Sequence, residues 1–303
     1  MSATKYYPDL PASYEPRIHR AEVIDVRRLG PGMIRVVFGG ADMQDYPTTG
    51  VGDEFVRLFF PDSPDDDVRL PFVTDRGWEY PEDVAPSQMR TYTIRGHRRG
   101  EIDIDFVVHE GGIAAVWAGQ ARAGQSVGIN PPKALYARPH WATKQVLIAD
   151  EPALPAALRL AESTSSDIET VLIAEVRGQE FQLTADADGV AYTWLRGTGN
   201  GYSPSELLQA LRRLTIDDET YVWVAGETRL TRTARSYLRH ERALAPDGQK
   251  SIGYWTDKAE EWRARYDALG EEFQATVRAL YESDRDIEEV VDEVSRLYDA
   301  AGL

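Results

Sequence analysis

The sequence predicts an antiparallel β-barrel followed by a doubly wound α/β domain with a parallel sheet, and then a helical tail. Three observations carry this. Residues 1–140 alternate short β-rich runs with Gly, Pro and Asp, whereas residues 141–255 alternate continuous apolar runs with amphipathic helices. From residue 256 onward, fourteen acidic residues face six basic ones. With 303 residues, 42% of them hydrophobic, the chain is long enough for two buried cores.

The opening MSATKYYPDLPASYEPRIHR is polar and proline-punctuated. It lacks the basic start and apolar stretch of a secretory signal, so a cytoplasmic protein is expected. The runs AEVIDVRRL, MIRVVFGG, DEFVRLFFP, RTYTIRGH and EIDIDFVVH predict barrel strands, and GIAAVWAGQARAG predicts a helix from Gly112 to near Gly124. A proline-rich connector, NPPKALYARPHW, closes this half.

Beyond it, the strands QVLIAD, ETVLIAEV, AYTWLR, TYVWVAGE and KSIGYW alternate with the helices PALPAALRLAE, SPSELLQALRRL and TRTARSYLRHER. Continuously apolar strands are buried on both faces, and such a sheet binds nucleotides beyond the carboxyl ends of its strands. In the tail, Trp262, Tyr266, Leu269, Phe273, Val277 and Leu280 recur at helical spacing, as do Ile287, Val290, Val291, Val294 and Leu297. That spacing predicts two helices broken near Ser283, with a solvated acidic face.

Composition removes several functions. Without cysteine there is no disulfide, cysteine-ligated cluster or thiol catalysis, so redox chemistry requires a bound organic cofactor. A net charge of −16 argues against nucleic acid, and apolar runs of strand length argue against a membrane span. The histidines at 19, 97, 109, 140 and 240 have no metal-ligand spacing, and no hydrolase or phosphate-loop motif occurs. Gly197-Thr198-Gly199-Asn200-Gly201 follows a strand, but Pro204 and a late helix start do not fit a dinucleotide fingerprint, so a flexible loop is expected.

The sharpest chemical signal is Arg90-Thr91-Tyr92-Thr93-Ile94-Arg95 on a barrel strand. Downstream, Asp105-Phe106-Val107-Val108-His109 leads into Gly112-Ile113-Ala114-Ala115-Val116-Trp117-Ala118, a strand delivering small residues onto a helix N-terminus. That geometry offers free amides to a phosphate. After the connector come Asp150-Glu151-Pro152-Ala153-Leu154-Pro155-Ala156, Trp223-Val224-Ala225-Gly226-Glu227, Tyr237-Leu238 before Glu241-Arg242, and Gly253-Tyr254-Trp255. In this order, over residues 20–255, the series resembles the siderophore-interacting protein family, whose barrel and doubly wound layout is that of the ferredoxin-reductase flavoenzymes.

The resemblance implies an FAD-binding barrel domain (1–140), a domain binding NADH or NADPH (141–255) and an acidic helical extension (256–303). It implies Arg90 on the FAD diphosphate, Tyr92 beside the flavin ring and Thr93 at flavin N5, with Thr91 on the same strand. Val107, His109, Gly112, Ala114, Ala115 and Trp117 would border the cofactor. The family usually has Gly-Pro-Ala-Ser where Gly112-Ile113-Ala114-Ala115 stands, so a serine contact is replaced. Asp150, Glu151, Gly226 and Glu227 would border the nicotinamide nucleotide, with Trp255 near the flavin. Arg57 and Lys133 would draw in an anionic ferric siderophore.

The implied activity is ferric-siderophore reduction by NAD(P)H through FAD, releasing Fe(II). A general flavin reductase and a siderophore-binding flavoprotein without turnover remain as alternatives. For the donor, Glu175 suits the ribose hydroxyls of NADH and Arg177 the extra phosphate of NADPH. Family members with a long C-terminal helix tend to use NADH or a ferredoxin-type donor.

Overall fold

A computed structural model describes residues 7, 9–11, 13–74, 77–109 and 112–303, the side chain at 288 excepted. The first half builds an antiparallel sheet from β1 (His19–Arg28), β2 (Met33–Gly39), β3 (Phe55–Phe60), β6 (Gln88–Thr93), β7 (Gly96–Arg98), β8 (Glu101–Val107) and β9 (Ser126–Ile129), in the order β6-β3-β9-β1-β2-β8-β7. Alternation sets the inside: Ile102, Ile104 and Phe106 of β8 enter the core, while Asp103 and Asp105 face away and are paired by Arg98 and Arg35. The sheet curls until the chain after β6 meets β8, where Arg95 N–H donates to Asp103 O at 2.8 Å, giving the expected barrel.

A hairpin, β4 (Phe72–Thr74) and β5 (Gly77–Glu79), was not expected, because three-residue strands leave no readable alternation. The helix after β8, α1, spans only Ile113–Gln120: Ala121 is already extended, and the rest of the expected helix turns into β9.

The second half contains β10 (Lys144–Ala149), α2 (Leu154–Ser163), β11 (Glu169–Val176), β12 (Val190–Arg196), α3 (Leu207–Arg213), β13 (Thr220–Glu227), α4 (Thr228–Ser236) and β14 (Gln249–Trp255). Its five strands are parallel, in the order β12-β11-β10-β13-β14. Because β10 is apolar from Val146 to Ala149, Leu147 and Ala149 pack under α2 on one face while Val146 and Ile148 pack with α3 and α4 residues on the other. The helix α4 starts three residues earlier than the apolar spacing suggests, since the Glu227 carboxylate caps it by accepting from Leu230 N–H at 2.9 Å.

The tail folds as three helices rather than two: α5 (Ala259–Ala268), α6 (Gly270–Tyr281) and α7 (Ile287–Ala300). The extra break falls at Gly270, whose φ of +80° the α-helix cannot continue through. Val277, Val290 and Val294 are buried together with Phe273, Leu280, Leu297 and Tyr298, a cluster drawn from the tail alone. Charges attach it to α4 and the turn beyond: Arg235 and Arg239 hold Asp292 at 2.8 and 3.2 Å, and Arg232 reaches Asp299 at 3.2 Å.

Arginines also stitch the two sheets together. Arg159 of α2 donates to the buried Glu54 carboxylate and to Ile94 O, each at 2.6 Å, and Arg95 forks onto Glu162 at 2.6 and 2.5 Å. No helix among the described residues is long and apolar enough to cross a membrane.

Candidate functional site

A cleft of about 570 Å³ lies over the carboxyl ends of β10, β11, β13 and β14. Parallel strands end there with the chain departing in opposite directions, which leaves a crevice no side chain fills. Asp150 forms its floor. The side chain is 2% exposed, and Oδ2 accepts from Trp255 Nε1 at 2.7 Å and from Glu227 N–H at 2.8 Å, while Oδ1 accepts from Ala153 N–H at 3.2 Å. One carboxylate thus fastens the ends of three adjacent strands.

Burial lifts the Asp150 carboxyl to about 7; the Trp255, Ala153 and Glu227 donors work against this, and the nearby Glu175 adds to it. Near neutrality the group is therefore divided between its two protonation states. Close approach also explains Gly226: a Cβ there would stand 2.5 Å from Asp150 Oδ2. Gly226→Ala is expected to push Asp150 off the Trp255 indole and cost the fold about 1–3 kcal/mol, read as a lower melting temperature with altered tryptophan fluorescence. A variant that melts and fluoresces like the parent would show that the floor does not depend on this contact.

Glu175, expected at the ribose hydroxyls of NADH, lines the cleft, and both it and Arg177, expected at the extra phosphate of NADPH, also have partners within the protein. Glu175 is 1% exposed, and its Oε1 accepts from Thr198 Oγ1 and Glu206 N–H, each at 2.7 Å. Arg177 pairs with Glu151 at 2.8 Å, donates to Val108 O at 3.2 Å, and lies over the Phe181 ring. The glycine-rich run expected to be a loop is one, and its side chains and backbone bond to the strand ends around it. Gly199, Asn200 and Gly201 are all left-handed, and the Asn200 side chain accepts from Glu151 N–H at 2.9 Å and donates to Glu175 O at 3.1 Å. A Cβ on Gly199 would fall 1.9 Å from Glu175 Oε2. This loop walls the cleft with Tyr202, and the tail roofs it with Trp262 and Arg265, contributions the sequence reading did not assign.

The barrel strand β6 reaches the same region. Thr93 is buried, and its hydroxyl faces the Tyr254 phenol, whose pKa is raised chiefly by burial and then by Asp53, with Thr93 acting against the rise. Even so, Thr93 Oγ1 makes no hydrogen bond of acceptable geometry. Tyr92 lies 4.4 Å from Phe106, ring centre to ring centre. Arg90 and Thr91 are exposed, with an Arg90 Nη1 resting on Met89 O at 2.7 Å.

At the start of α1, Gly112 has φ +78° and leaves room for the His109 ring, which a Cβ would meet at 2.9 Å. Intrahelical bonding begins only at Val116 N–H, so the amides of Ile113, Ala114 and Ala115 have no helical partner. Val107 and Ala115 are half-buried, Ala114 is buried, and Trp117 is turned into the barrel core beside Phe38, Phe60 and Phe106. The Trp117 ring therefore shapes the barrel wall from within.

Arg57 and Lys133 come together on the outer face of β3, each over an aromatic ring: Arg57 4.8 Å from Trp78, Lys133 5.1 Å from Tyr7. Burial lowers the Lys133 pKa, and the neighbouring Arg57 lowers it further. Arg57 is paired with Thr91 across β3 and β6, so this basic face adjoins the Arg90–Thr93 strand. Among the described residues no group of three metal-ligating side chains converges.

These residues fit FAD. A buried hydroxyl at Thr93, amides without a helical partner at the start of α1 and an exposed guanidinium at Arg90 supply donors for a ring and a diphosphate.

Comparison with known proteins agrees with this arrangement. Residues 22–136 match the siderophore-interacting FAD-binding domain, and residues 142–258 match the siderophore-interacting protein model. The chain is 28% identical to the NADPH-dependent ferric-chelate reductase of Escherichia coli, over 85% of this chain and 100% of that protein. It is 29% identical to the ferric vibriobactin reductase of Vibrio cholerae, over 74% and 83%. A siderophore utilization protein from T. fusca is 30% identical over 80% of this chain and 94% of its own, with a TM-score of 0.70.

Proposed function

The chain belongs to the siderophore-interacting protein family, and from that premise we propose that it is a ferric-siderophore reductase using FAD and a nicotinamide dinucleotide. The observation that carries this is the Arg90–Thr93 strand, whose buried Thr93 hydroxyl faces the Tyr254 phenol where β6 meets the end of β14 and hence the cleft.

In this reading Arg90 and the amides after Gly112 bind the FAD diphosphate, Tyr92 flanks the ring, and Thr93 donates to its polar edge. Thr91, Val107, His109, Ala114 and Ala115 line the same surface, with Trp117 supporting it from the core. NADH or NADPH enters the cleft over Asp150, Glu151, Gly226 and Glu227, and Trp255, fixed by Asp150, stands between cleft and flavin. Bound FAD links a donor of two electrons to an acceptor of one. Arg57 and Lys133 raise the local concentration of an anionic ferric chelate against the acidic background of the chain.

The balance is one NAD(P)H oxidised to NAD(P)+ and a proton while two Fe(III) become two Fe(II). Hard oxygen donors hold the lower charge less tightly, so reduction is release. A ferredoxin-type donor would leave the acceptor side of this scheme unchanged.

The test is anaerobic mixing of reduced protein with a ferric siderophore. Prompt flavin reoxidation is expected, slowed about tenfold or more at low salt when Arg57 and Lys133 are both replaced by alanine. Flavin that stays reduced would make the protein a carrier, and equal rates with unrelated acceptors would make it a general flavin reductase.

A further inference from the structure

We propose that the tail completes the donor site: Trp262 of α5 and Tyr202 of the loop after β12 take the adenine of the nicotinamide dinucleotide between them. This rests on the assignment of the cleft to that donor. Residues 259–303, which supply the roof, lie beyond both matched family regions.

The floor and the roof of the cleft differ in chemistry. The floor is polar and fixed, with Asp150 holding Trp255. The ring of Trp255 lies close to Gly201, so the loop and the strand end share the inner part of the cleft. Tyr202, by contrast, is 67% exposed, the largest exposure among the described big apolar and aromatic residues, and it lines the cleft. Its hydroxyl accepts from Arg177 Nη1 at 3.1 Å, the Arg177 guanidinium lies over one face of the ring 5.4 Å from its centre, and its backbone is fixed by the left-handed run at 199–201, which leaves the opposite face for a ligand. An exposed aromatic held this firmly offers a face to a planar ligand.

Trp262 is fixed equally well from the other side. It stacks on Tyr266 at 5.3 Å with the planes 9° apart, and its edge meets Tyr298 at 5.7 Å. It too lines the cleft. Arg229 and Lys258 also line it, as cations for a diphosphate lying between the two ends. Carboxylates line the cleft as well, and Arg232 and Arg265 are bonded to the backbone of Leu303 and Gly302, so Arg229 and Lys258, with the two braced rings, are the groups that match an adenosine diphosphate moiety, whose base stacks and whose phosphates pair. The nicotinamide end would then lie over Trp255, toward Thr93.

The test uses the full chain with its flavin and reads equilibrium binding by calorimetry. ADP-ribose and NAD+ carry the adenine, and nicotinamide mononucleotide lacks it. Trp262→Ala is expected to weaken ADP-ribose and NAD+ about tenfold or more while leaving nicotinamide mononucleotide unchanged, and Trp262→Phe to restore most of the loss. Tyr202→Ala, at an exposed position that cannot unfold the tail, is expected to weaken the same two ligands.

Unaltered ADP-ribose affinity in both alanine variants would overturn the proposal. So would an equal loss for nicotinamide mononucleotide, which would mean a general collapse of the cleft. Parent protein that binds none of the three probes would instead overturn the assignment of the cleft to a nicotinamide donor, a result distinct from either.

Discussion

Arg90→Ala is expected to yield protein largely without flavin. A guanidinium forked onto a diphosphate contributes two charge-assisted hydrogen bonds, each of roughly 1.5–3 kcal/mol. Because Arg90 is exposed, the lower end applies, so a loss of about 3 kcal/mol weakens FAD on the order of a hundredfold. The variant should fold normally, since the side chain makes no part of the core and holds only Met89 O of its own strand. Flavin absorbance per mole of protein, together with the melting temperature of the flavin-free form, checks both halves. Fully flavinated Arg90→Ala protein would remove β6 from the cofactor site.

Arg159→Ala should be the most damaging substitution for stability. The Glu54 side chain is fully buried, and Arg159 reaches it at 2.6 Å from helix α2. Burial alone would raise the Glu54 carboxyl; Arg159, the Thr48 hydroxyl and Thr49 N–H outweigh it and hold the group below its ordinary value. Removing the guanidinium leaves a buried charge without its partner, at a cost of about 3–5 kcal/mol. The sign with pH follows from the lowered carboxyl: the contribution is full above the ordinary glutamate range and is lost as pH falls through the depressed folded value. Denaturant titration of parent and variant at neutral and acidic pH should therefore give curves that converge toward acid. A constant gap across that range would mean that the pair does not govern the seam.

Much of the fold was legible because its elements are strongly patterned. Residues such as Val146 to Ala149 are apolar without interruption, and that alone places a strand inside a sheet covered on both faces. The hairpin at 72–79 was not legible, since three-residue strands carry too little periodicity, and the break at Gly270 was masked by apolar spacing that continues on both sides of it.

The site divides in the same way. Motif residues such as Arg90, Gly112 and Asp150 stand out locally. What Glu175 and Arg177 hold inside the protein depends on partners far along the chain, Glu206 and Glu151, which local spacing does not display. Of the Gly199–Gly201 run the loop was legible but not its contacts: its glycines provide the left-handed turns and the close approach to Glu175.

The helices after β14 bury their valines against one another and grip the sheet beneath mostly through arginine–aspartate pairs. An appendage that spends its apolar surface internally leaves no greasy scar when it is absent. Such a cap can be gained or shed in descent with little repacking of the host surface, changing how a crevice is roofed while the catalytic body below keeps its shape.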